Sequence, residues 1–447
     1  MRSARTLVAA RLAFACVVVF AIASAPPDAA RLFASFARHG ADARGAGVGW
    51  LGAALTNGLY DGPLRYGALV GISVLAALIA FVAIERRARQ GASAAGAFAA
   101  VVLAALCALD SLHAGGGAAT LLFAATVVLL LERASFASAL ALGSVTIVWC
   151  NVEAAGLLAP AFALVSALGR SCDDAKSPAA QRAWLAAAIA TCATFATPLR
   201  FAYPAHALAA LQLAGSAADY ALWSPPDVSP HAYRYGVTLA IVVALAVGLR
   251  GRTTRDALLA AFAFVIALAN GAFVAVFGIV AAPIVVAAFA RRTAGEPSAG
   301  PRFTPASAVG TLASAVALAL VAAFATGART LPLAPGEPYA AVARLARTGN
   351  VHRVYCAELG WCDAALANGL PVVADGRIAN APQRVRDVQI AIARGRKSWR
   401  TKLDALRVDA AVASADSSLA TLLTELHWTR FATAGSTVIL RRRIPAS

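Results

Sequence analysis

Long apolar runs alternate with short polar breaks from the start of the chain to about residue 325, and there the pattern stops. The runs fall at about 12–25, 66–84, 94–112, 116–131, 135–150, 153–168, 183–199, 235–249, 256–270, 272–290 and 306–325. A bilayer core of about 30 Å takes roughly 20 apolar residues per helix. The pattern therefore predicts an all-α polytopic membrane domain of about eleven transmembrane helices over residues 1–328. Two stretches must be divided to reach that number. Residues 134–168 as a single helix would run about 52 Å, with Asn151 and Glu153 near its centre, where a charge costs at least ~2.5 kcal/mol. A hairpin turning at Cys150-Asn151-Val152-Glu153 removes both difficulties, and the same reasoning divides 256–290 at Asn270-Gly271.

Charge placement gives this pattern a direction. Arg86, Arg87 and Arg89, then Arg133, then Arg170, Lys176 and Arg182, then Arg250, Arg252 and Arg255, then Arg291, Arg292 and Arg302 occupy alternate loops, while the breaks near 113–117, 151–153 and 270–271 carry no Arg or Lys. Positive charge is retained on the cytoplasmic side, so the N-terminus is expected inside and the chain beyond residue 328 outside. The exceptions lie in two long outer loops, 26–65 and 200–234, which contain Arg31, Arg38, Arg44 and Arg65, and Arg200 and Arg234. The first run follows Arg2 and Arg5 and ends in Ala23-Ser24-Ala25, a signal-peptide-like small-residue site. Pro26 and the many later spans favour an uncleaved signal anchor.

Composition agrees with a membrane chain: 60% hydrophobic and 14% charged residues, with a mean hydropathy of +0.71, against about a quarter charged in soluble domains. A net charge of +17 would otherwise suggest nucleic acid, but arginine stacked at helix ends has a topological reading, and no nucleic-acid partner is expected. Membrane lipids are the expected surroundings.

The outer face gathers the candidate chemistry. All six histidines (His39, His113, His206, His231, His352, His427) fall there, as do Asp28, Asp42, Asp61, Asp110, Asp219 and Asp227, with Asn151, Glu153 and Asn270. Ionisable groups at membrane helix ends are candidates for function; the plainer reading is that loops are polar. Val48–Tyr60 reads as an interfacial helix with Trp50 and Tyr60 as belt residues, and Ala221–Pro230 as a proline-fixed turn. Both could cap a lipid-substrate groove or simply pack on the membrane surface.

Residues 329–447 read as a small α/β extracytoplasmic domain, periplasmic in a bacterium. Helices are expected at 339–346, 384–406 and 418–426, and strands at 353–356, 371–374, 410–413 and 436–441; their alternation favours a mostly parallel sheet. Cys356 and Cys362 are the only cysteines expected in an oxidising compartment, and form either a disulfide or two free thiols. No Cys/His spacing suggests zinc. The basic run Arg394–Lys402, which includes Trp399, reads first as a solvated helix face and second as a clamp for an anionic headgroup.

Several segments, in order, resemble a bacterial family of polytopic membrane proteins related to GT-C glycosyltransferases, the group that includes dolichyl-phosphate-mannose-type mannosyltransferases. Val148 to Gly156 (VWCNVEAAG) is similar to that family's Trp-Ala-Asn-x-His-Gly-Gly turn, Ala196 to Tyr203 (ATPLRFAY) to its Asn-Pro-x-Gly segment, and Ala221 to Asp227 (ALWSPPD) to its Glu-Trp-x-Pro-Pro-Asp turn. Phe273 to Arg291 is similar to its last well-marked apolar helix; in the tail, Arg353 to Arg377, Trp399 to Val412 and Trp428 to Arg441 continue the likeness. The resemblance implies inverting transfer of a sugar from a polyprenyl-phosphate carrier to an envelope acceptor at the outer leaflet. It implies Asp28 as base or metal ligand with Asp42 as second choice, and His39, Asn151, Glu153, Arg200 and Asp227 as substrate-binding residues, with Arg200 meeting the carrier phosphate. A divalent metal is compatible with such a site; no other cofactor is implied. The chain departs from the family where acidic motifs are usual: Pro27-Asp28-Ala29-Ala30-Arg31 and Gly49-Trp50-Leu51 replace them, and Ala154 stands in place of the turn's histidine. The alternatives are a non-catalytic membrane protein that binds envelope polymer or lipid through its C-terminal domain, and a transporter. The scarcity of charges deep within the spans disfavours the transporter.

Overall fold

Alanine-rich apolar segments with serine ahead of them make good helices, and the helix starts show why. Ser93, Ser135 and Ser177 each cap the helix that follows by accepting a hydrogen bond from the backbone N–H three residues on, a contact worth about 1 kcal/mol. Pro178 then occupies the first helical position, where its missing N–H costs nothing. In the computed structural model, residues 2–25, 48–216, 238, 240–242, 244, 253–269, 271–294, 305–327, 338–348, 351–374, 383–393 and 398–442 are described. The helices of the first part are α1 (Arg2–Ser24), α2 (Trp50–Asp61), α3 (Tyr66–Ala88), α4 (Ala94–Cys107), α5 (Gly116–Glu132), α6 (Phe136–Val152), α7 (Leu158–Asp174), α8 (Pro178–Ala193), α9 (Tyr203–Ser216), α10 (Thr254–Ala269), α11 (Val274–Ala294) and α12 (Pro305–Thr326).

Among the described residues, Thr6–Ser24, Tyr66–Ala88 and Ala154–Asp174 are long and apolar enough to cross a membrane, and five further apolar helices are shorter. The outward faces are as apolar as the core. Phe20, Val265, Val321 and Phe324 are each more than 60% exposed, an arrangement that would be an aggregation hazard in water and suits lipid. The division at residues 150–153 is present: α6 ends at Val152 and a 3-10 turn, Ala154–Leu157, leads into α7. At the second division α10 ends at Ala269 and a 3-10 turn, Gly271–Phe273, leads into α11; Asn270 lies outside the described residues, as does most of the expected 235–249 span.

Helix α3 lies at the centre, packed against α12, α5, α4 and α1. Its contact with α12 depends on having no side chains in the way. A Cβ at Gly67 would overlap the Ala323 carbonyl oxygen, and one at Gly71 would stand 2.8 Å from the Ala323 Cβ. This is the small-residue packing that lets helices associate where no hydrophobic effect drives them.

One end of the bundle is held by charge. Glu132, the last residue of α5, accepts from Arg87 Nε at 2.8 Å and from Arg255 NH1 at 3.1 Å. Arg87 donates to the Val280 carbonyl at 2.9 Å, and Arg255 to Ser166 Oγ at 2.9 Å. Both arginines are buried. Nearby, Glu85 pairs with Arg11 and Arg89.

The tail is a small α/β unit with hydrophobic clusters of its own. Its sheet has the order β1 (Val354–Cys356), β2 (Ala410–Ser414), β4 (Thr437–Arg441), β3 (Thr429–Ala434). Side chains alternate across it: Val354, Cys356, Ala410, Val412 and Ile439 pack against α13 (Tyr339–Arg347) and α14 (Leu359–Ala367). Tyr355, Ala411, Val438 and Leu440 face α15 (Gln383–Ala393), α16 (Trp399–Ala405) and α17 (Ser418–Glu425). Three expectations need correction. The sheet is mixed, since only β1 and β2 run parallel while β4 is antiparallel to both neighbours; the hairpin of β3 and β4 around Gly435 (φ 54°) supplies the second direction. The expected strand 371–374 amounts to a single parallel bridge, Val354 to Val372. The expected helix 384–406 is two helices, with Ser398 at φ 87° ahead of the second.

Glu132→Gln would leave the buried Arg87 guanidinium without a counter-charge and Arg255 with Asp256 alone, at 3.5 Å. A stability loss of about 3–5 kcal/mol is expected, measured as a fall in unfolding temperature in detergent; an unchanged temperature would refute the structural role of the cluster.

Candidate functional site

At the opposite end of the bundle the polar contacts are hydrogen bonds around aromatic rings. Glu153 follows the last turn of α6 in extended conformation, and its N–H still bonds to the Trp149 carbonyl at 2.9 Å. The chain then folds back so tightly that a Cβ at Gly156 would stand 2.6 Å from the Cys150 backbone. Only glycine fits there, and this is what places Glu153 beside the end of its own helix. Trp149 is fully buried and stacks on Phe123 of α5, with ring centroids 5.6 Å apart. Its indole N–H donates to Glu153 Oε1 at 2.6 Å, and Thr120 Oγ1 of α5 donates to the same oxygen at 2.8 Å. Two donors on one oxygen fix the plane of a half-buried carboxylate.

Asn151 is buried and its amide is spent on the fold. Nδ2 donates to the Ile147 carbonyl at 2.8 Å and the Ala196 carbonyl at 3.0 Å, while Oδ1 accepts from Trp50 Nε1 at 2.5 Å. Carbonyls on one side and an indole N–H on the other allow one amide orientation only. The Trp50 contact fastens α2 across the end of the bundle, and Gly52 permits it, since any side chain there would overlap the Val152 carbonyl oxygen. Tyr203, at the start of α9, donates to the Glu153 carbonyl at 3.2 Å; burial raises its phenol pKa well above the usual range and keeps it a donor.

Arg200 lies close by in sequence, on the 3-10 turn Arg200–Ala202. It is exposed, its φ is 48°, and no side-chain hydrogen bond or ion pair joins it to Glu153 among the described residues. A non-glycine residue at positive φ costs of order 1 kcal/mol or more. The Thr197 hydroxyl, three residues earlier, is buried with no hydrogen-bond partner among the described residues. Asp28, His39, Asp42 and Asp227 lie outside the described residues. Among the described residues no group of three His, Cys, Asp or Glu side chains is placed to hold a metal. In the tail, Cys356 and Cys362 are joined as a disulfide with their Cα atoms 5.5 Å apart. Gln389 donates to the Cys356 carbonyl at 2.9 Å, which ties α15 to the bonded strand.

The structure thus sets Asn151 and Glu153 at one helix end, and among the described residues no hydrogen bond or ion pair joins the Arg200 side chain to either. It adds Thr120, and it gives roles to Trp149 and Tyr203, which fall within the quoted segments Val148–Gly156 and Ala196–Tyr203, and to Trp50, expected only as a membrane-belt residue. Chemically the cluster presents one oriented carboxylate in an aromatic, largely apolar setting beneath an amphipathic helix. No protein-family model matches the chain, and no curated protein matches it in sequence.

Asn151→Ala removes the acceptor that holds Trp50. A loss of about 1–3 kcal/mol is expected, with faster amide hydrogen exchange across residues 50–61; exchange as slow as in the wild type would show that α2 is held by other contacts.

Proposed function

We propose that this chain is a multi-pass membrane protein that transfers a sugar from a polyprenyl-phosphate carrier to an envelope acceptor at the extracytoplasmic leaflet. In this reading about eleven helices span the bacterial plasma membrane, the N-terminus is cytoplasmic, and the α/β tail lies outside. Asp28 is the general base or metal ligand, with Asp42 as the second choice. Glu153 orients the polar head of the substrate under α2, and Arg200 receives the carrier phosphate.

The observation that carries the reading is the fixed Glu153 carboxylate at the end of an apolar bundle, roofed by the amphipathic helix with Trp50. Such a place suits a substrate with a lipid tail and a polar head. The Cys356–Cys362 disulfide supports an oxidising compartment for the tail. Asn151 supports the second reading, a non-catalytic membrane protein that binds envelope polymer or lipid through its tail, because its amide is fully used within the protein.

Proteoliposomes supplied with a radiolabelled polyprenyl-phosphate hexose and a soluble acceptor test the two. Sugar transfer is expected, with a fall of about 10²–10⁴-fold in Asp28→Asn if it acts as the base. Glu153→Gln is expected to lower turnover without unfolding the protein. Transfer at background in the wild type sinks the enzymatic reading, and undiminished transfer in Asp28→Asn sinks the assignment of that residue. Orientation has its own check: in intact cells lacking an outer membrane, an impermeant maleimide is expected to label the variant Arg430→Cys at this exposed position of the tail, and labelling only after lysis would place the tail inside.

A further inference from the structure

At the charged end of the bundle, beside the Glu132 cluster, a shallow cleft with enclosed room for about one water molecule is bordered by the last turn of α5 and by α6, α7 and α8. Its polar lining consists of Arg133, Arg170, Arg182, Ser135, Ser138 and Ser166, and no carboxylate borders it. The remaining wall is apolar, including Leu142 and Ala186.

We infer that the exposed mouth of this cleft, where Arg133 and Arg182 stand, binds a phosphate group, carried either by an anionic phospholipid headgroup or by a soluble phosphate. Arg170 uses NH2 alone, on the Leu131 and Glu132 carbonyls at 3.1 and 3.3 Å. Arg182 uses NH1 alone, on the Ala134 carbonyl at 3.2 Å. Among the described residues neither makes an ion pair, and the Arg133 side chain makes no hydrogen bond. Arg170 Nε is buried without a partner, and the residue borders the cleft.

The nearby carboxylates are engaged elsewhere. Glu132 is held by Arg87 and Arg255, Asp173 accepts from the Thr254 N–H at 2.8 Å, Asp174 accepts from the Lys176 N–H at 3.1 Å, and Asp256 lies 3.5 Å from Arg255. Helix α6 also begins at the cleft with Ser135 as its cap, and its positive dipole end adds to the field there. Guanidiniums match phosphate oxygens in paired hydrogen bonds, and an apolar wall below a basic mouth suits a headgroup whose acyl chains continue into the bilayer. The inference is independent of sugar transfer, and it gives these arginines a ligand in addition to their part in topology.

Arg133 and Arg182 are exposed, so Arg133→Gln/Arg182→Gln is expected to fold. The full chain, this double variant and the control Arg430→Gln, which removes an exposed charge from the tail, are unfolded thermally in two ways. One arm compares phosphatidylcholine nanodiscs with and without phosphatidylglycerol, and the other titrates inorganic phosphate in detergent. Stabilisation of the wild type and the control is expected, with apparent affinity weakened on the order of tenfold in the double variant. A response confined to phosphatidylglycerol assigns the group to a lipid, and one confined to inorganic phosphate assigns it to a soluble ligand. Equal responses of wild type and double variant, the same loss in the control, or no response to either probe would overturn the inference.

Discussion

One carboxylate between two guanidiniums organises the bundle. Ions removed from water each carry a penalty of several kcal/mol, which is offset only when geometry and additional hydrogen bonds are both good. Glu132 meets that condition by engaging Arg87 from α3 and Arg255 from α10, and the arginines place their remaining donors on Ser166 of α7 and the Val280 carbonyl of α11. Five helices distant in sequence are thereby brought to a single point. The close approach of α10 to α7 is part of the same device. A side chain at Gly169 would overlap the Arg255 backbone, so the guanidinium reaches Glu132 only because position 169 is glycine.

The two ends of the bundle solve the same problem by different means. At the Glu132 end formal charges are paired and arginines cap the carbonyls at the end of α5. At the Glu153 end the helix breaks are satisfied by indole, hydroxyl and amide groups, and a single carboxylate is held by neutral donors. Neutral hydrogen bonds contribute less each than charged ones but define direction well, as the single allowed orientation of Asn151 illustrates. The second end has oriented neutral donors around one carboxylate, whereas the first has guanidinium donors to spare.

The helical bundle was largely legible because a lipid-facing helix needs a continuous apolar run whatever its neighbours. The hairpin at Cys150–Glu153 followed from the cost of burying Glu153 midway along a helix, and α2 from the amphipathic segment around Trp50. In the tail, local periodicity located α13, β1, β2, α17 and β4 closely. It missed α14, whose apolar residues lie all round the helix and carry no clear face, and β3, whose exposed residues such as Thr429 and Arg430 lack the apolar face of an internal strand. The mixed direction of the sheet was hidden for the same reason, since it comes from the hairpin to which β3 belongs.

The sequence by itself determined which segments are apolar helices, where charge gathers, and that an α/β unit follows them. Those properties depend on the composition of consecutive residues, which a chain carries before it folds. Which polar residues meet was decided only by the tertiary structure. Glu132 and Arg255 are 123 residues apart and Trp50 and Asn151 are 101, and their partnership depends on glycines at 52, 156 and 169 that let backbones touch. Separations of that kind leave no periodic trace along the chain, so the pairing of a carboxylate with its donors emerged only once helices packed closely enough to exclude any other partner.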